Sequence, residues 1–259
     1  MVTVGIDIGS LNTKAVVLQD NKIISWSLVP TGESTSEAAQ AALDDVLKKS
    51  ELSNKVNHVA ATGAGKKEAT CANSQATEII CEAKGARFLN PEVGGLIDIG
   101  AESCRVVKCD PDGSVADFAL NDKCASGTGI FLDAMAKALE VDVKDMGPLS
   151  LQSTVDVNIT STCVVFAESE VVSQIHRRVN KVDILKGIHK SIAARVLGQT
   201  NRLQLDGDIL LAGGVAQNIG VVTCLQEMMK SKLIVPDNPQ LLGALGAAII
   251  AKEKVEQAC

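Results

Sequence analysis

The chain has 259 residues, 46% of them hydrophobic, which is enough to bury a sizeable core in one large domain or two lobes. A formal net charge of −6, with the basic residues scattered singly or in pairs, excludes an electrostatic nucleic-acid footprint. The longest apolar run, near residues 241–251, is too short and too broken by glycine to cross a bilayer, and no signal-like segment opens the chain, so a cytoplasmic protein without a membrane partner is expected.

The first strand ends in Ile6-Asp-Ile-Gly-Ser10, followed by a short polar turn and Lys14. A β-rich stretch Ala15-Val-Val-Leu18, a hairpin turn at Asp20-Asn-Lys22 and a third strand over 23–29 come next. A helix over about 36–49 opens on Ser and Thr and carries an Ala/Leu/Val face at helical spacing. The pattern returns 91 residues later as Ile97-Asp-Ile-Gly-Ala101, with Arg105 seven places after Asp98 as Lys14 is seven after Asp7. Val106-Val-Lys108, a turn at Asp110-Pro-Asp-Gly113 and a strand over 115–120 complete the second copy. A helix from Thr128 then carries Phe131, Leu132, Met135, Ala138 and Leu139. Helical patterns over 164–179 and 182–203 precede a strand at 208–212, a helix after Gly214 and a last helix near 241–255. Each half reads β-β-β-α and then α/β, so the fold class expected is α/β, with two duplicated lobes, 1–90 and 91–259, facing one another across a cleft. Asn90-Pro91 and Gly94-Gly95 break the pattern at that boundary.

A turn that grips a polyphosphate needs small residues, so that backbone N–H groups can approach the oxygens, and a nearby cation. Gly9-Ser10 with Lys14, and Gly100-Ala101, meet that need, and a third glycine turn at Leu211-Ala-Gly-Gly214 follows its own strand. Asp7 and Asp98, at the strand ends, are placed to hold a hydrated Mg²⁺ or to orient a water. Thr62-Gly-Ala-Gly-Lys66 imitates a P-loop but lacks its first glycine and its Ser/Thr, with Ala60 and Lys67 in those places.

Six of the eight cysteines, Cys71, Cys81, Cys104, Cys109, Cys224 and Cys259, have no ligand spacing and are expected to be small hydrophobes. Cys124 and Cys163 lie beside capping residues at predicted helix starts, where unpaired N–H groups and the helix dipole favour a thiolate or an anionic cluster. One chain offers two such thiols where a cubane cluster takes four, and a symmetric homodimer would supply the rest; two buried cysteines are the competing reading. His58, His176 and His189 are isolated and read as surface or satisfied core residues, Trp26 as packing, and Glu168 and Glu170 as nucleotide contacts or solvent-facing charges.

Together these segments resemble the ATP-dependent reductive activators of 2-hydroxyacyl-CoA dehydratases and the ATPase subunits of benzoyl-CoA reductase. The likeness covers nearly the whole chain and is carried by Gly5-Ile-Asp-Ile-Gly-Ser10 with Lys14, Ala61-Thr-Gly63, Asn121-Asp-Lys-Cys-Ala-Ser-Gly-Thr-Gly129, Ser161-Thr-Cys-Val-Val-Phe-Ala-Glu-Ser-Glu170, Gly213-Gly-Val-Ala-Gln-Asn218 and Gly243-Ala-Leu-Gly-Ala-Ala248. It implies an actin-like ATPase fold, a homodimer and one [4Fe–4S] cluster held by Cys124 and Cys163 of both subunits. It also implies ATP or ADP with Mg²⁺ at the phosphate turns, to which it adds Asn12, Thr13, Gly127, Gln217 and Gly243, and electron transfer driven by ATP. The expected partners are an iron–sulfur enzyme, either a 2-hydroxyacyl-CoA dehydratase or a double-cubane-cluster protein, and a ferredoxin or flavodoxin as donor. Related activators read Asp-Ile-Gly-Gly-Gln-Asp at the second phosphate turn, where this chain has Ala101, Glu102 and Ser103; Glu102 is a candidate orienter of the attacking water. A small-molecule kinase of the same fold, with Asp122 as its base, and a filament-forming or chaperone-like ATPase are the alternatives.

Overall fold

The computed structural model describes residues 1–52, 55–110, 112–121, 128–160 and 163–258. It divides into two compact units, the first Met1–Leu96, Cys109–Ala116 and Pro236–Cys259, the second Ile97–Lys108 and Asp117–Val235.

In the first unit, β1 (Val2–Ile8) pairs antiparallel with β2 (Asn12–Gln19), and β2 pairs antiparallel with β3 (Lys22–Pro30). Asp20 and Asn21 close that hairpin with φ of 47° and 61°, the left-handed pair that a two-residue turn between twisted strands requires. Helix α1 (Thr35–Ser50) follows, its first turn capped by the Ser34 hydroxyl, which accepts from Glu37 N. Next come β4 (Val56–Thr62), parallel to β1, then β5 (Ser74–Gln75) and α2 (Glu78–Leu89), giving the sheet order β3-β2-β1-β4-β5.

Strand periodicity sorts β1 into two faces. Val4, Ile6 and Ile8 are fully buried with Ala39, Ala42 and Val46 of α1, each buried Val or Ile side chain contributing on the order of 2 kcal/mol. Thr3, Gly5 and Asp7 face the other way, onto the last helix. Thr3 Oγ1 donates to the Ala248 carbonyl at 2.9 Å, and a Cβ at Gly5 would lie 2.0 Å from the Ala244 carbonyl oxygen. That helix, which runs Leu242–Ala258, packs on β1, β2, β4 and α2. The expected division at 90/91 assigned it to the other half. Its Gly and Ala residues admit the close approach that binds it to the first unit, a fit that depends on β1 and α2 being already in place.

Across 93–235 lie β6 (Val93–Ile99), β7 (Cys104–Cys109), β8 (Val115–Asn121), α3 (Gly129–Leu139), α4 (Val143–Ser150), α5 (Val164–His176), α6 (Lys181–Leu203), β9 (Asp208–Ala212), α7 (Ile219–Met229) and β10 (Leu233–Ile234). The final helix is α8. The second sheet runs β10-β9-β6-β7-β8, which repeats the first sheet's order element for element. Ile97 and Ile99 enter one large core with Phe131, Leu132 and Met135 of α3, Ile184, Leu185 and Ile188 of α6, and Leu225 of α7, leaving Asp98 on the opposite face of β6. Trp26, expected to pack, is 43% exposed; with Ile24 and Leu28 it forms the outer face of the edge strand β3. Among the described residues no helix is long and apolar enough to cross a membrane.

Candidate functional site

The duplicated turns share their bonding. At the end of β1, Gly9 N donates to the Asn12 carbonyl at 3.1 Å, and Lys14 Nζ lies 3.1 Å from Asp7 Oδ2. At the end of β6, Gly100 N donates to the Ser103 carbonyl at 2.9 Å, and Arg105 Nη2 lies 3.1 Å from Asp98 Oδ1. Both carboxylates are mostly buried, so each ion pair keeps a charge in a partly desolvated place where its cation is held rather than roaming. The seven-residue spacing has a simple cause: a tight turn between antiparallel strands puts Lys14 directly across from Asp7 in the register.

Around the first turn, Ser10 is exposed and Asn12 half-buried. Thr13 is fully buried; its hydroxyl meets Thr31 Oγ1 at 3.0 Å, and Thr31 donates to the Gly9 carbonyl at 2.7 Å. Thr13 and Thr31 therefore brace the turn from beneath. Gly63, with φ of 92°, packs against Ile8 and Asp7, and the N–H of Gly65 donates to the Ile8 carbonyl at 3.1 Å. Gly243 opens α8 beside the carboxylate: a Cβ there would stand 3.1 Å from Asp7 Oδ2, so glycine lets the positive end of the helix approach an anion. Sequence reasoning missed Thr31, which follows Pro30 and carries no motif.

The second turn holds the start of a helix. Gly129 N and Ile130 N of α3 donate to the carbonyls of Gly100 and Ala101 at 2.9 and 3.0 Å. Ala101 is not among the left-handed residues, so its Cβ is accommodated without backbone strain. Glu102 is exposed at the tip, and Ser103 Oγ accepts from Arg105 Nη1 at 2.9 Å. The third turn, Gly213 and a short 3-10 stretch Gly214–Gln217, follows β9. Gly213 has φ of 86° and lies against the tip of β6, where a Cβ would fall 2.2 Å from the Ile99 carbonyl oxygen. Gly214 and Gln217 are exposed.

Cys163 is the N-cap of α5, exposed, with no side-chain capping bond. Two turns along, the Glu170 carboxylate accepts from Thr160 N at 3.1 and 3.2 Å and from Thr160 Oγ1 at 3.3 Å. Val165 and Phe166, 66% and 68% exposed, stand next to it. Cys124, Gly127 and Asp122 lie outside the described residues. Among those described, no group of three or more His, Cys, Asp or Glu side chains is gathered for a metal ion. Cys81, Cys104, Cys109 and Cys224 are buried as expected, and burial pushes the Cys81 thiol up to about 12 and the Cys224 thiol up to about 11.

The family model of the BadF/BadG/BcrA/BcrD ATPases matches residues 4–251. The chain belongs to that family. An activator of lactoyl-CoA dehydratase from Anaerotignum propionicum is 42% identical over 259 residues, 99% of this chain and all of that protein. The crystal structure of component A of the Acidaminococcus fermentans (R)-2-hydroxyglutaryl-CoA dehydratase superposes with a TM-score of 0.95 at 42% identity, covering 99% of both chains. An activator of the 2-hydroxyisocaproyl-CoA dehydratase from Clostridium difficile, solved with bound ADPNP, gives 0.94 at 40% identity over 100% of this chain and 97% of that one. More distant solved structures, ROK-type kinases among them, match at 13–14% identity with TM-scores of 0.53–0.64 and show the fold alone, which is the actin-like ATPase fold.

Proposed function

We propose that this ATPase is a reductive activator: it binds ATP at its duplicated glycine turns and uses the hydrolysis to deliver a low-potential electron to a 2-hydroxyacyl-CoA dehydratase. The observation that carries the reading is the attachment of the α3 N-terminus to the Gly100 and Ala101 carbonyls, which joins a phosphate turn to the helix that follows the Cys124 segment. Gly9, Ser10, Asn12 and Lys14, together with Gly100, Ala101 and Gly127, would receive the phosphates, and Gly213, Gly214 and Gln217 the nucleoside. Asp7 and Asp98 would hold the hydrated Mg²⁺, Gly243 would let α8 close on Asp7, and Glu102 would orient the attacking water. Thr13 supports rather than touches, its hydroxyl being spent within the turn.

A [4Fe–4S] cluster supplies one-electron transfer at low potential, and Cys163 suits it as an accessible thiol at a helix N-terminus that no capping bond engages. Cys124 and a second copy of the chain would provide the remaining thiolates, which makes the active form a homodimer. Nucleotide exchange at the Gly100–Ala101 turn would shift α3, and the differing affinity of ATP and ADP for the two arrangements supplies the energy. A reduced cytoplasmic ferredoxin or flavodoxin would supply the next electron. Iron and acid-labile sulfide measured on anaerobically purified protein, with EPR after dithionite, test this directly. About two irons per chain, lost in Cys163→Ser, are expected for one cluster per dimer. Full iron content in Cys163→Ser, or none in the reconstituted wild type, rejects the cluster.

A further inference from the structure

His189 lies in the middle of α6 with no exposed surface, joined to two other elements. Ser150, the last residue of α4, donates its hydroxyl to the Gly147 carbonyl at 2.8 Å, so only its lone pairs face His189 Nδ1 at 2.9 Å. Nδ1 must therefore carry the proton and donate. Nε2 is left as an acceptor and takes Asn218 Nδ2 at 3.3 Å. That bond settles which way the Asn218 amide points. Its Oδ1 faces Gly220 N and Val221 N at 3.0 and 3.2 Å and caps α7. Desolvation pushes the imidazole down to about 4, so the ring is neutral near pH 7 and keeps the acceptor.

Asn218 is also where the exposed turn of Gly214 and Gln217 ends; its N–H donates to the Val215 carbonyl at 2.9 Å. At its other end the turn is anchored by Gly213 against Ile99. A turn held at both ends presents its N–H groups and the Gln217 side chain in one geometry. Release of one end would require a ligand to order the turn when it binds.

We propose that His189 is a positioning residue for nucleotide: by accepting from Asn218 through Nε2 it fixes the C-terminal anchor of the Gly213–Gln217 turn, touching no ligand itself. The inference rests on the reading that this turn contacts the nucleoside. It also assigns a role to the fully buried histidine, which the sequence reads as a surface or satisfied core residue.

The test uses the full anaerobically purified chain, a fluorescent ADP analogue and steady-state ATP hydrolysis, with thermal melts alongside. His189→Ala removes the acceptor. Asn218→Ser keeps an α7 cap but loses the Nδ2 donor, and serves where His189→Ala does not fold. Both should raise the ADP Kd and the KM for ATP about tenfold, with kcat at saturating ATP within roughly twofold of wild type. His189→Gln, whose Oε1 can replace Nε2 as acceptor, should recover the affinity to within about threefold. A folded Asn218→Ser or His189→Ala protein with wild-type affinity overturns the proposal, as does a folded His189→Gln that binds no better than the alanine variant. If the wild type itself fails to bind ADP, the nucleotide reading falls and takes this inference with it; the wild-type arm keeps the two failures apart.

Discussion

Acid should weaken this protein through one residue well before its carboxylates protonate. His189 has an ordinary imidazole value of 6.5 that burial lowers to about 4 in the fold. The unfolded chain therefore binds a proton that the folded chain refuses between those two values. The stability this contributes is complete above pH 6.5 and is lost as the pH falls toward 4. At pH 5 the loss covers about 1.5 pH units at about 1.4 kcal/mol each, or roughly 2 kcal/mol. Urea unfolding followed by far-ultraviolet circular dichroism, at pH 7.5 and pH 5, measures it. The wild type should lose roughly 2 kcal/mol between the two conditions and His189→Gln much less, because glutamine does not titrate. An equal acid loss in both proteins would refute the reasoning and assign the effect to other groups, His58 among them.

Other outcomes follow from single contacts. Replacing Gly246 with Ala places a Cβ 1.6 Å from the Cys81 carbonyl oxygen, so α2 and α8 must part; thermal melts should show a loss of at least about 2 kcal/mol. Lys14→Met strands the Asp7 carboxylate and removes a cation from the first turn, and kcat/KM for ATP should fall on the order of 10²-fold with the fold retained in circular dichroism spectra. Brief iodoacetamide treatment of cluster-free protein at pH 8, read by peptide mass mapping, should label Cys163 ahead of Cys71 and leave Cys81, Cys104, Cys109 and Cys224 untouched. Labelling of Cys81 or Cys224 at the rate of Cys163 would contradict their burial.

Much of the site is legible because its parts are local. Asp7 and Lys14, like Asp98 and Arg105, are paired by a turn of fixed length between adjacent strands, so a spacing of seven carries the geometry with it. The start of α1, expected near residue 36, was visible for the same reason, since its cap joins Ser34 to Glu37 three residues on. The supports beneath these motifs were not. Thr31 under Gly9, Gly63 against Asp7, and the His189–Asn218 link join residues far apart in the chain whose types are ordinary for loops and cores. Trp26 is the converse case: it reads as a packing residue, yet it stands 43% exposed on the outer face of β3.

The sequence by itself determined the two β-β-β-α halves, the paired aspartates with their cations, and the placement of a thiol at the head of α5. Periodicity, turn chemistry and short-range spacing act within a few residues and survive reading in one dimension. Only the tertiary structure decided that the last helix returns to the first strand, that Gly243 opens it beside Asp7, and that a core histidine anchors an exposed turn. Those arrangements depend on which surfaces can approach most closely once the sheets exist. Glycine, alanine and a neutral imidazole are chosen by neighbours that lie far away along the chain.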